Sequence, residues 1–201
     1  MVTLAPWESG GNQTRELRVG IEIERKFLVD VARLCSSLKG TKPDSVKRLS
    51  QWYFSSPETL EGGQKASVRV RTERQVTLWS MERREAFGFA DDYESWLNIK
   101  SVATGHTRQE YEYLIPNEDA DLMQALAVGA IITKDRAVIK QGDLKWEIDF
   151  FLGENKGLAV AEIELPCSDY PFEKPEWLLE EVTDELRYTN VALSSRPFKS
   201  W

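Results

Sequence analysis

The sequence has few of the residues that many catalytic sites require. It contains two cysteines, Cys35 and Cys167, and neither belongs to a CxxC pair, which excludes a disulfide framework and a zinc ribbon. Its one histidine, His106, excludes any site that needs two or three imidazoles, and it leaves a Ser-His-Asp triad only if His106 carries it. We expect His106 to be a loop residue instead, because it follows Gly105 in a turn-like stretch.

Long apolar segments are also missing. The longest apolar runs are far shorter than the roughly 20 residues of a membrane-spanning helix. Residues 1–11 lack the basic and apolar regions of a secretory signal. Since unpaired cysteines are typical of reduced thiols, the sequence predicts a cytoplasmic protein with no membrane partner.

Acidic residues outnumber basic ones. The chain has 33 Asp and Glu against 26 Lys and Arg, and its net charge is −7. This balance argues against nucleic acid as a partner, because such affinity comes mainly from excess Lys and Arg. A local basic cavity is still compatible with it. The length of 201 residues and the 41% of hydrophobic residues suit one globular domain with a core.

Short segments that alternate charged and apolar residues recur along the chain, which is the pattern of half-buried strands. Helices are predicted at 30–38, with Asp30 as the cap, at 117–128, with Asn117 at its start, and at 175–181, followed by a short turn at 183–186 capped by Thr183. We expect a poorly ordered lead-in at 1–18, one domain at 19–201, and a long loop or insertion at 73–93. The eight predicted strands are 20–27, 49–54, 66–72, 96–101, 108–115, 135–140, 145–152 and 158–165.

In most of these strands the ionic residues share one face, because residues two apart in a strand point the same way. In the segment 145–152, for example, Lys145, Glu147 and Asp149 share a face, with Trp146 and Ile148 on the other. One interpretation is an antiparallel sheet with one solvated face. The other is a barrel whose charged faces line a polar lumen and whose apolar faces are covered by helices, loops or a second subunit. Composition alone does not decide between them.

Several short motifs follow one another in a fixed order. The first is ExExK, at 22–26. After it come QxY at 51–53, RxR at 69–71, a strand lysine at Lys100, RxExE at 108–112, KxR at 134–136, ExD at 147–149 and ExE at 162–164. In this order and over roughly 19–197, the chain resembles the CYTH family, also called triphosphate tunnel metalloenzymes. The segment 73–93 departs from the compact members of that family, and it could form a lid, a contact surface or a longer hairpin.

The resemblance implies an α+β, mainly β fold, an eight-stranded antiparallel closed β-barrel whose tunnel has a charged lumen. It implies a Mg²⁺- or Mn²⁺-dependent triphosphatase, and we expect inorganic tripolyphosphate as the substrate. Nucleoside or thiamine triphosphates, or adenylate cyclase chemistry, present the same phosphate chain and stay open. So do a non-catalytic polyphosphate-binding barrel and a plain β-sandwich interaction module. The protein is expected to be a monomer or homodimer.

The same resemblance assigns residues to roles that their chemistry suits. Arginine offers forked donors that match phosphate oxygens, and lysine offers a point charge. Carboxylates suit Mg²⁺, which keeps several waters and binds phosphate oxygens as well. The triphosphate-binding residues are expected to be Lys26, Arg69, Arg71, Lys100, Arg108, Lys134 and Arg136, and the catalytic residues Glu24, Lys26, Arg69, Arg71 and Lys100. The metal ligands are expected to be Glu22, Glu24, Glu162 and Glu164, with Glu110, Glu112, Glu147 and Asp149 as weaker candidates.

Overall fold

Antiparallel strands form most of the computed structural model, which describes residues 23–38, 42–54, 66–101 and 110–201. These ranges include three short α-helices, of which two lie between strands and the third follows the last strand: α1 (Val31–Ser37), α2 (Asn117–Met123) and α3 (Asn190–Ser195). The strands are β1 (Ile23–Val29), β2 (Ser45–Tyr53), β3 (Ala66–Ser80), β4 (Glu85–Phe89), β5 (Glu94–Ser101), β6 (Glu110–Ile115), β7 (Val128–Gln141), β8 (Leu144–Phe151), β9 (Ala159–Leu165) and β10 (Leu178–Glu181). The expected mainly β, antiparallel class is therefore confirmed.

The strands form one sheet in the order β10-β1-β9-β8-β7-β2-β3-β5-β6, and β4 pairs with β3 beside this path. All eight predicted strands occur, and β4 and β10 are additional. Within the described ranges, no strand pairing joins the two edge strands, β6 and β10. None of the helices in these ranges has the length and apolar character that crossing a bilayer requires.

One face of the sheet carries the main hydrophobic core. Phe27, Trp146 and Ile148 are at most 1% exposed there, and Leu34 of α1 and Trp177 pack into the same cluster. Helix α1 begins where it was predicted, because the side chain of Asp30 accepts a hydrogen bond from Arg33 N at 3.1 Å. The apolar face is thus covered by a helix and by loop residues, as the lumen interpretation required.

The segment 73–93 contains a hairpin, which is one of the forms that the sequence left open for this insertion; a loop without strands there was wrong. Strand β3 continues to Ser80, and β4 turns back to pair with it. The hairpin lies on the apolar face, where Trp79 packs on Phe150 with ring centroids 5.5 Å apart. Buried Asp135 anchors it, since one oxygen accepts from Ala86 N at 2.6 Å and the other pairs with Arg48. The segment looked like a loop because its strands are half-exposed and the turn between them, 81–84, is rich in Arg and Glu.

The helix predicted at 175–181 was also wrong. Leu178–Glu181 form β10, which pairs with β1, and Asp30 N donates to Trp177 O at 2.8 Å. Pairing with an open sheet edge outweighs a weak helical propensity here. In the turn that follows, Thr183 is not a helix cap, because its Oγ1 accepts from Lys26 N at 3.1 Å.

Helix α2 is shorter than the predicted 117–128. It ends at Met123 and passes through a 3₁₀ turn, Gln124–Leu126, into β7. Pro116 holds the N-cap position that we expected Asn117 to hold. The Asn117 side chain instead accepts from Ser95 Oγ at 2.7 Å and donates to Tyr93 O at 2.8 Å. It therefore fastens α2 to the start of β5.

The C-terminal segment packs against one end of the opposite sheet face. Thr189 caps α3 by accepting a hydrogen bond from Ala192 N at 3.3 Å, and Leu193 of α3 is fully buried. Leu193 lies in a cluster that we call the apolar plug, which consists of Tyr53, Ile132, Phe151, Leu158, Val160, Val182, Tyr188 and Leu193.

Candidate active site

The strand register brings the predicted ionic residues together on one face. Glu162 of β9 lies opposite Lys26 of β1 on one side and Glu147 of β8 on the other. Arg136 of β7 lies opposite Asp149 of β8. We call this surface, which bears Glu24, Lys26, Lys47, Gln51, Arg69, Arg71, Glu73, Asn98, Lys100, Glu112, Lys134, Arg136, Glu147, Asp149, Glu162 and Glu164, the charged face. The expectation that most of the motif residues share one face is met.

Arg136 is the centre of an ion-pair network on this face. Its Nε donates to Asp149 Oδ1 at 2.6 Å and its Nη2 to Glu162 Oε2 at 2.8 Å, and Nη1 pairs with Glu147. Burial opposes the charge on Arg136, but the surrounding carboxylates raise its pKa well above the ordinary value. The positive charge of Arg136 is therefore neutralised within the protein.

The lysines of the network are also paired. Buried Lys134 donates to Asp149, and burial lowers the pKa of Lys134 although that carboxylate opposes the effect. Lys26 Nζ lies 3.0 Å from Glu162 Oε1. Burial opposes the charge of Lys26, but the carboxylates of Glu162 and Glu24 raise its pKa. The pKa of Glu162 lies well below the usual range, because Arg136 and Lys26 outweigh its burial.

Arg69 and Arg71 of β3 have different surroundings, and we call them the arginine pair. The described side chains that contact Arg69 are neutral amides, including Gln51, whose Oε1 accepts from Arg69 Nη1 at 3.3 Å. Arg71 Nε lies 2.9 Å from Glu73 Oε1, yet this buried N–H makes no hydrogen bond. Burial and the adjacent charge of Arg69 lower the pKa of Arg71. Arg71 Nη2 also lies 3.5 Å from Glu112 Oε1, and Glu73 is shared with Lys47. Among the described residues, Lys47 and the arginine pair therefore carry one more charge than the two carboxylates that contact them, and one donor of Arg71 makes no hydrogen bond.

Negative charge is in excess at another part of the face. Glu24 and Glu164 lie directly opposite each other on β1 and β9, and both are exposed. Lys26 Nζ is 3.5 Å from Glu24 Oε1. Partial burial and the charge of Glu162 raise the pKa of Glu24. A divalent cation would reduce the repulsion between these carboxylates. We call Glu24 and Glu164 the acidic end of the charged face.

The described residues contain no group of three or more His, Cys, Asp or Glu arranged to hold a metal ion. Mg²⁺ does not need such a group, since it is usually bound by one or two carboxylates together with water and phosphate oxygens. The donor set of the acidic end fits that chemistry. Glu22, the fourth expected ligand, lies outside the described residues.

The remaining predicted residues are placed only in part. Arg108 and His106 lie outside the described ranges. Glu110 is opposite Lys100 in the β5–β6 register, but its side chain is not described. Lys100 is half-buried on the charged face.

Sequence reasoning missed several members of the charged face. Lys47 and Glu73 form an ion pair at 2.8 Å across β2 and β3, and neither was assigned a role. The signal was present, because Lys47 is four residues before Gln51 and Glu73 two residues after Arg71, which puts each on the same strand face. Asn98, two residues before Lys100, was missed in the same way.

A separate cavity of about 220 Å³ lies between the hairpin turn and the β8–β9 connection. Its lining includes Arg83, Arg84 and Lys156, but none of the predicted site residues. We therefore place the candidate site on the charged face.

Several known proteins are similar to this chain over most of its length. Residues 20–196 match the family model of the CYTH domain. The inorganic triphosphatase of Acetivibrio thermocellus is 35% identical over 184 residues, which are 91% of this chain and 99% of that protein. The inorganic triphosphatase of Nitrosomonas europaea is 30% identical over 180 residues, 86% of this chain and 96% of that protein. The crystal structure of the inorganic triphosphatase NE1496 superimposes with a TM-score of 0.54 at 28% identity, covering 86% of this chain and 93% of that one.

Proposed function

Because this chain belongs to the CYTH domain family, we propose that it is a metal-dependent inorganic triphosphatase, which hydrolyses tripolyphosphate to pyrophosphate and phosphate. The two inorganic triphosphatases described above match nearly their whole length to this chain. The reaction cleaves a phosphoanhydride bond, so the enzyme is a hydrolase.

The arginine pair is the observation that carries the proposal. The two adjacent guanidinium groups repel each other, and Arg71 Nε–H makes no hydrogen bond although Glu73 Oε1 lies 2.9 Å away. A phosphate chain supplies both the missing charge and the missing acceptor, because its oxygens match the forked donors of arginine. The free energy lost in the empty protein is recovered when the anion binds.

We further propose that the sheet curls so that the charged face lines a tunnel, as in the eight-stranded barrel that the sequence predicts. Burial of the charged face supports this. Lys134 is 2% exposed, Asp149 1% and Gln51 2%, whereas a solvated face would leave such side chains in water. The same observation weighs against a plain β-sandwich interaction module.

The residues divide into two groups by their partners. Lys26 and the arginine pair are proposed to hold the triphosphate, together with Lys100 and Arg108. Lys134 and Arg136 were assigned to the same role, but in the structure they hold Glu162, Glu147 and Asp149 in place. We infer that the main role of Lys134 and Arg136 is to keep these carboxylates ionised and oriented. The protein can then fold with many charged side chains close together.

The metal ion is proposed to bind at the acidic end, with Glu24, Glu164 and Glu162 as ligands. When bound, Mg²⁺ or Mn²⁺ neutralises phosphate charge and polarises the terminal phosphoryl group. We also propose that Glu24 orients a water molecule for in-line attack on the terminal phosphorus. Lys26, which contacts both Glu24 and Glu162, links the metal side of the site to the phosphate side.

A panel of substrates tests the function. Phosphate release should be measured with Mg²⁺ and with Mn²⁺ on tripolyphosphate, ATP and thiamine triphosphate, with and without EDTA. We expect metal-dependent turnover that is fastest on tripolyphosphate. Faster turnover of an organic triphosphate, or cyclic AMP formation from ATP, would replace the proposed substrate. Tight binding of tripolyphosphate without turnover would identify a non-catalytic polyphosphate-binding protein.

A further inference from the structure

Asn98 lies beside the arginine pair and is completely buried. The register places Asn98 of β5 between Arg69 of β3 and Glu112 of β6. Its side chain is 0% exposed, although it belongs to the charged face. A buried amide is costly unless both its carbonyl and its amino group have partners.

Both ends of the Asn98 amide are engaged. Its Oδ1 accepts a hydrogen bond from Arg69 Nε at 3.4 Å, and its Nδ2 donates to Glu112 Oε1. The same Glu112 oxygen lies 3.5 Å from Arg71 Nη2. One amide therefore touches Arg69 directly and reaches Arg71 through Glu112.

We propose that Asn98 is a positioning residue that sets the orientation of both arginines of the phosphate site. This inference rests on the function proposed above. Gln51 holds Arg69 Nη1 from one side and Asn98 holds Nε from the other, and both do so through neutral amide oxygens. They fix the guanidinium without neutralising the charge that an anion needs. A carboxylate at position 98 would fix Arg69 by cancelling that charge.

An amide is also the side chain that suits Glu112. Asn98 donates to this carboxylate, whereas an aspartate would repel it. The pairing keeps Glu112 turned towards Arg71, so the second arginine is held by an ion pair while its Nε stays available. Asparagine at position 98 thus gives Arg69 a neutral acceptor. It also gives a donor to Glu112, the carboxylate that pairs with Arg71.

Two variants test the role. Asn98→Leu has nearly the same size and removes both contacts, and Asn98→Asp keeps an acceptor for Arg69 but adds negative charge. We expect Asn98→Leu to raise the KM for tripolyphosphate about tenfold or more, with kcat changed less than about threefold, because hydrogen bonds to charged groups are worth roughly one to two powers of ten in affinity. Asn98→Asp should also raise KM. If Asn98→Leu fails to fold, an unchanged KM in Asn98→Asp is enough to overturn the proposal.

A double-mutant cycle separates positioning from simple packing. If Asn98 acts through Arg69, then Asn98→Leu should raise KM much less in an Arg69→Ala background than in the wild type. A purely structural asparagine would give independent effects that multiply. Asn155 provides the matched control, since it is 1% exposed and its Oδ1 accepts from Phe198 N at 2.8 Å outside the charged face. Asn155→Leu should lower stability and leave KM unchanged.

Binding of tripolyphosphate, measured by calorimetry in metal-free buffer, distinguishes this inference from the proposed function. A wild type that binds but does not turn over, with weaker binding in Asn98→Leu, would overturn the triphosphatase and support the positioning role. A wild type that turns over, with the same dissociation constant and KM in Asn98→Leu, would overturn the positioning role alone. A wild type that neither binds tripolyphosphate in metal-free buffer nor releases phosphate from it with Mg²⁺ or Mn²⁺ would overturn both.

Discussion

Two arginines on the charged face, Arg71 and Arg136, have opposite electrostatic surroundings. Arg136 is paired with three carboxylates, Glu147, Asp149 and Glu162, and its pKa is raised by them. The pKa of Arg71 is lowered by burial and by Arg69, and its Nε lacks a hydrogen bond. The first arginine therefore contributes to the stability of the folded protein, and the second is available to a ligand.

Replacing each arginine by methionine should separate these two roles. We expect Arg71→Met to lower kcat/KM for tripolyphosphate by a factor of about 10² to 10³, the usual effect of losing one transition-state donor. Its free energy of unfolding should fall by less than that of Arg136→Met, because the two carboxylates that Arg71 contacts, Glu73 and Glu112, keep Lys47 and Asn98 as other partners.

Arg136→Met, the matched comparison, leaves buried carboxylates without their cation and should lower the free energy of unfolding by about 3–5 kcal/mol. Steady-state kinetics and urea titrations measure both effects. A destabilised but fully active Arg71→Met would contradict the assignment.

Glu73 gives the site a pH-dependent contribution to stability. Burial would raise the pKa of Glu73, but Arg71 and Lys47 outweigh it, so the folded pKa lies below the unfolded value of about 4.3. A depressed carboxyl pKa stabilises the folded state above the unfolded pKa, and this stabilisation is lost as the pH falls through the folded pKa.

The free energy of unfolding of Glu73→Gln should therefore fall below that of the wild type at pH 6–7, and the difference should shrink as the pH falls below the unfolded pKa and through the lower folded pKa of Glu73. Urea titrations across this range measure it. A difference that stays constant with pH would show that Glu73 contributes by packing and not by its charge.

At the residue scale, the sequence predicts the face of a side chain better than its partner. The two-residue period put Lys26, Arg136 and Glu162 on one face, and the register confirms this. Which cations are neutralised depends on cross-strand neighbours that lie far apart in sequence, so the contrast between Arg71 and Arg136 was not predictable. Asn98 was missed because a neutral residue carries no signal in a charge pattern.

Among the elements, the hairpin of β3 and β4 shows where sequence patterns fail. Most strands with a clear division into apolar and ionic faces were predicted within a few residues, but β7 begins at Val128, seven residues before its predicted start, and β3 ends at Ser80, eight residues after its predicted end. The segment 73–93 lacks that division, because one side rests on the apolar face of the sheet and the other meets solvent with Leu78 and Phe87 exposed. Strand β10 was missed for a related reason, since a four-residue edge strand is specified by its partner β1 more than by its own sequence.

Removing the anchor of the hairpin should loosen it without damaging the site. Asp135→Ala leaves Arg48 and Ala86 N without their buried acceptor, and we expect the free energy of unfolding to fall by about 3–5 kcal/mol. Hydrogen exchange should become faster at the Ala86 amide. The activity per folded molecule should change little, because the hairpin lies on the face opposite the charged residues. Loss of activity with unchanged exchange at Ala86 would contradict this separation of the two faces.

Across the whole molecule, the two faces of the sheet divide stability from chemistry, and the apolar plug marks a boundary between them. Phe151 and Val160 extend the charged face beyond Asp149 and Glu162, but they pack with Tyr188 and Leu193 from the C-terminal segment. The proposed tunnel would therefore be closed at this end, and a substrate would enter from the end of the acidic residues Glu24 and Glu164.

A closed end limits the length of phosphate chain that the site can accept. In the proposed tunnel, tripolyphosphate would place its terminal phosphorus near Glu24 while its other phosphates contact the arginine pair, whereas a chain of several tens of phosphates would not pass beyond the plug. At equal molar concentrations of chains, we expect kcat/KM to be at least about tenfold higher for tripolyphosphate than for the long chain. A factor of ten corresponds to a loss of about 1.4 kcal/mol in the binding free energy of the long chain. Phosphate release from both substrates, measured with the same metal, tests this. Equal values would mean that the C-terminal segment, with Leu193 at its centre, moves aside and that the charged face is open at both ends.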